Sequence, residues 1–215
     1  RYGVNRELDP ADKKRFGTLQ AAQVYFVNRL WTDMKKQAPQ SRLIFCPTVF
    51  TTDEANANPE YMQAMTNINA EILMYWSGPE MLSPTITGEN AREIAKIYGR
   101  KPFLCDNYPA NAIYSWPWTP IMGPLQGRSN DLSGEVSGYI ANANFQWNIS
   151  RVPLATVAAY LRDPAKYNPE RALASAISEF SPSQQPAIRL MVDLYGKGFW
   201  GDGTLYPRGF PPSDA

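Results

Sequence analysis

Asp53 and Glu54 are the one adjacent acidic pair in the sequence, and Asp106 stands beside Asn107 at the end of a short apolar run. Two neighbouring carboxylates can divide general acid and general base work between them. Asp53-Glu54, however, lies in a Thr/Asn-rich stretch that reads as a solvated loop, and Glu7-Leu8-Asp9 reads the same way. Asp106 admits two roles, a buried structural carboxylate or a ligand contact. No residue is therefore assigned as catalytic. The chain has no histidine, which removes Ser-His-Asp and Cys-His nucleophilic systems and His-ligated metal sites from within it. Cys46 and Cys105 are far apart and form no CxxC motif, so no zinc or redox site is read and both are expected to be buried free thiols. No metal and no cofactor is expected.

Neutral polar residues are the better candidates for a site. Asn107, Asn111, Asn142 and Asn144 follow apolar runs, as does Ser77, which sits directly after Trp76. Amides and hydroxyls both donate and accept hydrogen bonds, which matches the hydroxyls and acetamido group of a sugar. Aromatic faces suit the C–H face of a sugar ring, and Trp76 and Tyr108 lie beside these polar positions. The same Asn residues also suit turn caps, above all Asn111 and Asn144.

Those positions make sense only if particular elements carry them. Apolar residues at Leu19, Ala22, Phe26, Val27, Leu30 and Met34 recur at helical spacing over Phe16–Lys36, with Gln23 as the one polar interruption, and Pro39 stops the helix. Arg1–Arg15 before it reads as a loop. Arg42–Cys46, Glu71–Trp76, Pro102–Cys105 and Val136–Ala141 are short apolar runs that read as strands. Helices are expected at Pro59–Ile68, at Gly88–Tyr98 capped by Thr87 with Glu89 in its first turn, and at Ile149–Leu161. A long loop is expected from Asp106 to about Asp131. Short, wholly apolar strands alternating with amphipathic helices point to parallel βα units, so the fold class is α/β, four strands and about four helices forming half of a (β/α)8 barrel. Pro169–Phe180 and Pro186–Tyr195 continue as short helices, and Gly196–Ala215 reads as an irregular Gly/Pro-rich tail. In α/β barrels the site lies at the C-terminal ends of the strands, which is where the Asn and Ser positions fall.

Composition narrows the function class. With 44% hydrophobic and 19% charged residues over 215 positions, the chain is globular rather than disordered. Its 21 basic and 20 acidic residues nearly cancel, which gives no electrostatic case for a nucleic-acid partner. No apolar run approaches the roughly 18 residues that span a bilayer, so no membrane span is expected.

Trp76-Ser77-Gly78-Pro79, Ile86-Thr87, Gly99-Arg100-Lys101-Pro102 and Asp106-Asn107-Tyr108-Pro109-Ala110-Asn111 follow one another in the order of the motifs of glycoside hydrolase family 84, which the chain resembles. The likeness continues through Met122–Arg128, Gly138–Asn142, Pro153–Leu161 and Pro164–Pro169, and covers roughly Gly17 to Ile177. Family 84 includes protein O-GlcNAcases and bacterial β-N-acetylglucosaminidases, some of them of hyaluronidase type. The resemblance implies that residues 1–165 are the C-terminal half of the barrel and 166–215 a helical extension with the tail. It implies substrate-assisted hydrolysis of terminal N-acetylglucosamine, in which the substrate's acetamido oxygen attacks the anomeric carbon while two adjacent aspartates orient it and handle the proton. That Asp-Asp pair would end a strand upstream of Arg1, so the chain by itself is not expected to be active. The resemblance also favours a secreted or extracytoplasmic location.

By the same resemblance Asn107 and Asn142 are sugar contacts, and Ser77 stands where threonine is usual. The expected substrate-binding set is Phe50, Trp76, Ser77, Asp106, Asn107, Tyr108 and Asn142. Three positions depart from the family pattern. Phe50 stands for a tyrosine, Cys105 for a tryptophan, and Ala112 for an aspartate whose loss would cost about 1.5–3 kcal/mol of binding. These departures keep a second reading open, that of an inactive relative serving as a glycan-binding or structural protein. The expected partners are a glycan or glycoprotein carrying N-acetylglucosamine, and either the N-terminal half of the barrel or another protein chain covering the open sheet edges.

Overall fold

The computed structural model describes residues 8–111 and 120–196. The expected loop status of Arg1–Glu7, the Ala112 position and the tail beyond Gly196 lie outside these residues. In chain order the elements are α1 (Pro10–Phe16), α2 (Leu19–Gln37), β1 (Ile44–Phe45), α3 (Thr52–Ala57), α4 (Pro59–Met65), β2 (Leu73–Trp76), α5 (Gly88–Tyr98) and β3 (Phe103–Asp106). There follow α6 (Leu132–Glu135), β4 (Gly138–Ala141), α7 (Trp147–Arg162), a 3-10 turn at Pro164–Lys166, α8 (Pro169–Ser178) and α9 (Gln185–Tyr195). The four strands lie in the order β1-β2-β3-β4. β1 and β2 are parallel with Ile44 opposite Leu73, and β2 and β3 are parallel with Tyr75 opposite Phe103. This is the α/β arrangement that the alternating apolar runs imply.

The chain forms two compact units, Arg1–Cys105 with Gly134–Tyr139, and Asp106–Ser133 with Ile140–Ala215. In the first, Ile72, Met74, Trp76, Ile86, Ala91, Ile94 and Leu104 are fully buried. The α5 helix packs there through Ala91, Ile94 and Tyr98. Thr87 caps it in a reciprocal box with Asn90, and Gly99 ends it in the left-handed conformation at φ 67°. The guanidinium of Arg100 donates to the carbonyl oxygens of Ile68, Asn69 and Ile72 at 2.8, 2.7 and 3.2 Å, tying the turn that precedes β2. In the second unit Met122, Val152, Ala176 and Ile177 form a core, with Leu173, Phe180, Ile188, Met191 and Val192 packed against it. The helices after residue 165 thus share a core with α7.

Several local expectations change. Residues 10–16 are helical, because Asp9 accepts hydrogen bonds from the Ala11 and Asp12 amides and Pro10 sits in the first turn. This helix buries no residue, so it carries no apolar periodicity to read. Asp53 and Glu54 lie in the first turn of α3 rather than in a loop, where Thr51 caps the helix and the Glu54 carboxylate accepts from the Phe50 amide at 3.3 Å. In α2 the buried residues are Val27 and Trp31, while Phe26 and Leu30 are 64% and 45% exposed. The buried face is rotated from the apolar stripe, and Gln23 belongs to the packed side, accepting from the Tyr61 hydroxyl at 2.6 Å. Cys46 and Cys105 are free thiols, but Cys46 is exposed and Cys105 half-buried. The protein crowded around Cys46 still pushes its thiol up to about 11, with Cys105 and Glu54 adding to the effect.

Candidate functional site

In the first unit, the loops after β1 and β2 are joined backbone to backbone. The Ser77 amide donates to Phe50 O at 3.0 Å, Thr52 N to Gly78 O at 3.2 Å, and Asp53 N to Pro79 O at 3.1 Å. Gly78 makes this possible at φ 116°. A Cβ there would come within 2.5 Å of the Ser83 hydroxyl. Trp76 is fully buried and its indole N–H donates to Thr52 Oγ1 at 3.0 Å, so it braces the loop from beneath. Phe50 is half-buried, edge-on to Tyr75 with ring centroids 5.7 Å apart. Burial first, and interaction with Cys105 second, push the Tyr75 phenol well above the usual range. Ser77 is 1% exposed, and its hydroxyl is the buried side-chain polar atom with no protein partner among the described residues.

A buried hydroxyl without a partner costs about 1–3 kcal/mol. Ser77→Ala removes that cost, so the variant is expected to be as stable as the parent or more stable by up to about 1 kcal/mol. A thermal melt of both chains checks this, and a clear loss of stability would mean that the hydroxyl has a structural partner.

In the second unit, Asp106 and Arg128 form a bidentate pair. Arg128 Nε donates to Asp106 Oδ2 and Nη2 to Oδ1, both at 2.7 Å, and the side chains are 1% and 2% exposed. Both oxygens of the Asp106 carboxylate are thus engaged by Arg128. The pair fixes the end of β3, from which Asp106 O accepts the Asn142 amide at 2.9 Å. The next residue, Asn107, is 7% exposed and its Oδ1 accepts from Asn142 Nδ2 at 3.1 Å, while Asn142 itself is exposed. Tyr108 is buried, its hydroxyl donates to Gly123 O, and burial pushes its phenol far up. The Tyr108–Pro109 bond is cis.

Asn111 and Asn144 take the turn-holding role. Asn111 Oδ1 accepts from the Phe145 amide at 3.0 Å, and its Nδ2 donates to Gln146 Oε1 at 2.8 Å. Asn144 pairs with both backbone groups of Ile121, at 2.9 and 3.0 Å.

Of the seven expected site residues, the structure brings Asn107 and Asn142 together, leaves Phe50 half-exposed and Ser77 with a buried hydroxyl, and buries Trp76, Asp106 and Tyr108, each with a hydrogen bond to a residue distant in sequence. Arg128 is the residue that spacing could not reveal, since it lies 22 positions from its partner. Among the described residues no group of three or more His, Cys, Asp or Glu could hold a metal ion. Among them, too, no helix is long and apolar enough to cross a membrane.

Comparison with known proteins places this geometry in context. A family model described as beta-N-acetylglucosaminidase matches residues 4–193. Protein O-GlcNAcase of Mus musculus is 26% identical over 163 residues, 74% of this chain, and that of Rattus norvegicus is 27% identical over the same share. The chain spans 17% of the length of each of these relatives. An O-GlcNAc hydrolase mutant from Thermobaculum terrenum superposes with a TM-score of 0.77 at 28% identity, over 88% of this chain and 40% of that one. The four strands and their helices are thus part of a TIM-type α/β barrel.

Proposed function

Because the chain belongs to the beta-N-acetylglucosaminidase family, whose model matches residues 4–193, we propose that it forms part of a hydrolase acting on terminal N-acetylglucosamine, with Asn107 and Asn142 holding the sugar. The observation that carries this reading is the Asn142 Nδ2 to Asn107 Oδ1 bond at 3.1 Å, at the ends of β3 and β4. It sets two amide side chains side by side on a backbone fixed by the buried Asp106–Arg128 pair. Amides so placed offer both donors and acceptors to a neutral sugar without charge. The reaction would be substrate-assisted, the acetamido oxygen attacking the anomeric carbon. Its carboxylate pair would come from a segment other than the described residues. The same segment, or a second chain, would pair with β1, which ends the strand order.

A titration of this chain with N-acetylglucosamine, followed by NMR or calorimetry, tests the binding half of the reading. Saturable binding is expected, and Asn142→Ala should weaken it about tenfold, the effect of losing one good hydrogen bond. Equal affinity in the variant would sink the assignment. Hydrolysis of an aryl N-acetylglucosaminide by the full-length protein then separates the enzyme from the inactive glycan-binding relative. Phe50 and Cys105 favour that second reading, since neither supplies the group that the family resemblance implies at its position.

A further inference from the structure

The α9 helix is apolar on two sides. Ile188, Met191 and Val192 face the core and pack against Met122, Val152, Ala176 and Ile177. On the outer side Leu190 and Leu194 stand one turn apart, each 59% exposed, and the exposed Pro186 and Ala187 continue that side toward the start of the helix. A surface helix ordinarily turns one apolar stripe inward and a polar face outward, so a second apolar face marks a surface that is covered by something. At its first turn this face runs into a groove, which Ala187 and Ile188 line together with Ile149, Arg151 and Phe180. The Arg151 guanidinium lies over the Phe180 ring, 4.9 Å from its centroid, and no carboxylate among the described residues pairs with it.

The chain supplies a cover of matching chemistry. Past Gly196 it continues as Lys197-Gly198-Phe199-Trp200-Gly201-Asp202-Gly203-Thr204-Leu205-Tyr206. Phe199, Trp200, Leu205 and Tyr206 are large apolar side chains, and they follow directly on the helix whose outer face is bare. Gly196 and Gly198 stand where a reversal of direction is needed, because glycine accepts the backbone angles that end a helix and turn the chain. Gly201-Asp202-Gly203 is a second turn signal, set between the two apolar pairs. The length suffices. Six residues from Gly196 to Asp202 span up to about 20 Å, whereas the 11 residues of α9 rise about 16 Å. Asp202 is the one carboxylate between residues 197 and 213, and a segment running back along α9 carries it toward the groove that holds Arg151.

We propose that residues 199–206 of this chain fold back along α9, with Phe199 and Trp200 against Leu190 and Leu194 and Asp202 directed to Arg151. A segment tethered at the end of the helix it covers is present at an effective concentration in the millimolar range, which favours it over a second copy of the chain or a foreign partner. The cover has a consequence within the same unit. The Met122 amide donates to Tyr195 O at 3.5 Å at the last turn of α9, so a segment that holds this turn also steadies the loop at Met122.

Limited chymotrypsin digestion of the full chain tests the cover from the side of the segment. Leu190→Gln with Leu194→Gln is expected to raise the cleavage rate within residues 199–206 about tenfold, the effect of losing roughly one leucine's burial. Hydrogen exchange tests it from the side of the helix. Ending the chain at Gly198 should speed exchange of the α9 amides by a similar factor and leave those of α5 unchanged. Phe199→Ser with Trp200→Ser in the full chain gives the same reading if the shortened chain does not fold. Arg151→Glu should raise the cleavage rate about two- to fivefold, the range of an exposed ion pair, and adding Asp202→Arg should reverse the rise. Equal cleavage in the parent and the leucine variant would overturn the proposal, as would α9 exchange that ignores the loss of the segment. Protection that appears only as protein concentration rises, with a dimer in sedimentation, would overturn it in favour of a second copy. Cleavage unmoved by Arg151→Glu would overturn the path assigned toward the groove.

Discussion

Replacing Arg128 with alanine is expected to destabilise the protein by about 3–5 kcal/mol, because it strands a carboxylate that is almost wholly removed from water. Asp106 is 1% exposed and both of its oxygens accept from the guanidinium at 2.7 Å. The loss is not a measure of what the pair adds over an apolar alternative. Desolvating two charges offsets most of their attraction, and the penalty arises when one partner is left alone. The double variant Arg128→Met with Asp106→Asn should therefore recover a large part of the stability that Arg128→Ala loses. For a chain of this size each kcal/mol moves the melting temperature by about 2–4 °C, so Arg128→Ala should fall by roughly 6 °C or more. Chemical denaturation of the parent, the single and the double variants checks the scheme. A loss under about 1 kcal/mol for Arg128→Ala would mean that water reaches Asp106 and screens it. The consequence for function is positional. The backbone oxygen of Asp106 holds the Asn142 amide, so loosening this residue displaces the two amides proposed to bind the sugar.

How far the sequence reveals this arrangement depends on which forces leave a periodic trace. The α5 helix is legible to the residue: Thr87 caps it, Ala91, Ile94 and Tyr98 repeat at helical spacing, and Gly99 ends it. The strands are legible as apolar runs, though the paired parts are shorter than the runs, with only Ile44 and Phe45 of Arg42–Cys46 forming β1. The α1 and α3 helices go unread because each is held by a capping side chain, Asp9 or Thr51, more than by an apolar face. In α2 the sequence misleads. Phe26 and Leu30 extend the apolar stripe yet remain exposed, and the polar Gln23 turns inward to meet Tyr61. The candidate site divides the same way. The strand-end rule leads to Asn107 and Asn142, because it depends only on locating strands. It cannot tell which of these side chains is buried and already hydrogen-bonded, since that is decided by partners distant in sequence. Trp76 meets Thr52 and Asp106 meets Arg128, 24 and 22 positions away.

Gly123→Ala is expected to cost about 1–3 kcal/mol and to weaken sugar binding along with stability. A Cβ at Gly123 would stand 2.2 Å from the carbonyl oxygen of Gly196, a backbone atom that no rotamer change can move aside. The neighbouring Met122 amide donates to Tyr195 O at 3.5 Å, so the loop and the end of α9 approach too closely for any side chain larger than hydrogen. Relief must come from shifting the loop, and the loop carries the carbonyl that accepts the Tyr108 hydroxyl. Tyr108 follows Asn107 directly in the chain, so a displaced Gly123 carbonyl is transmitted to the asparagine side chain through one residue. Tyr108→Phe provides the comparison. It removes only the hydrogen bond and leaves Gly123 O buried without that donor, so it should cost about 1–2 kcal/mol with the loop otherwise in place. If Gly123→Ala lowers sugar affinity more than Tyr108→Phe does, the effect runs through the position of the loop. If both variants lose stability but bind the sugar like the parent, Asn107 is placed by the Asp106–Arg128 pair alone, and the packing beneath it serves the fold rather than the site.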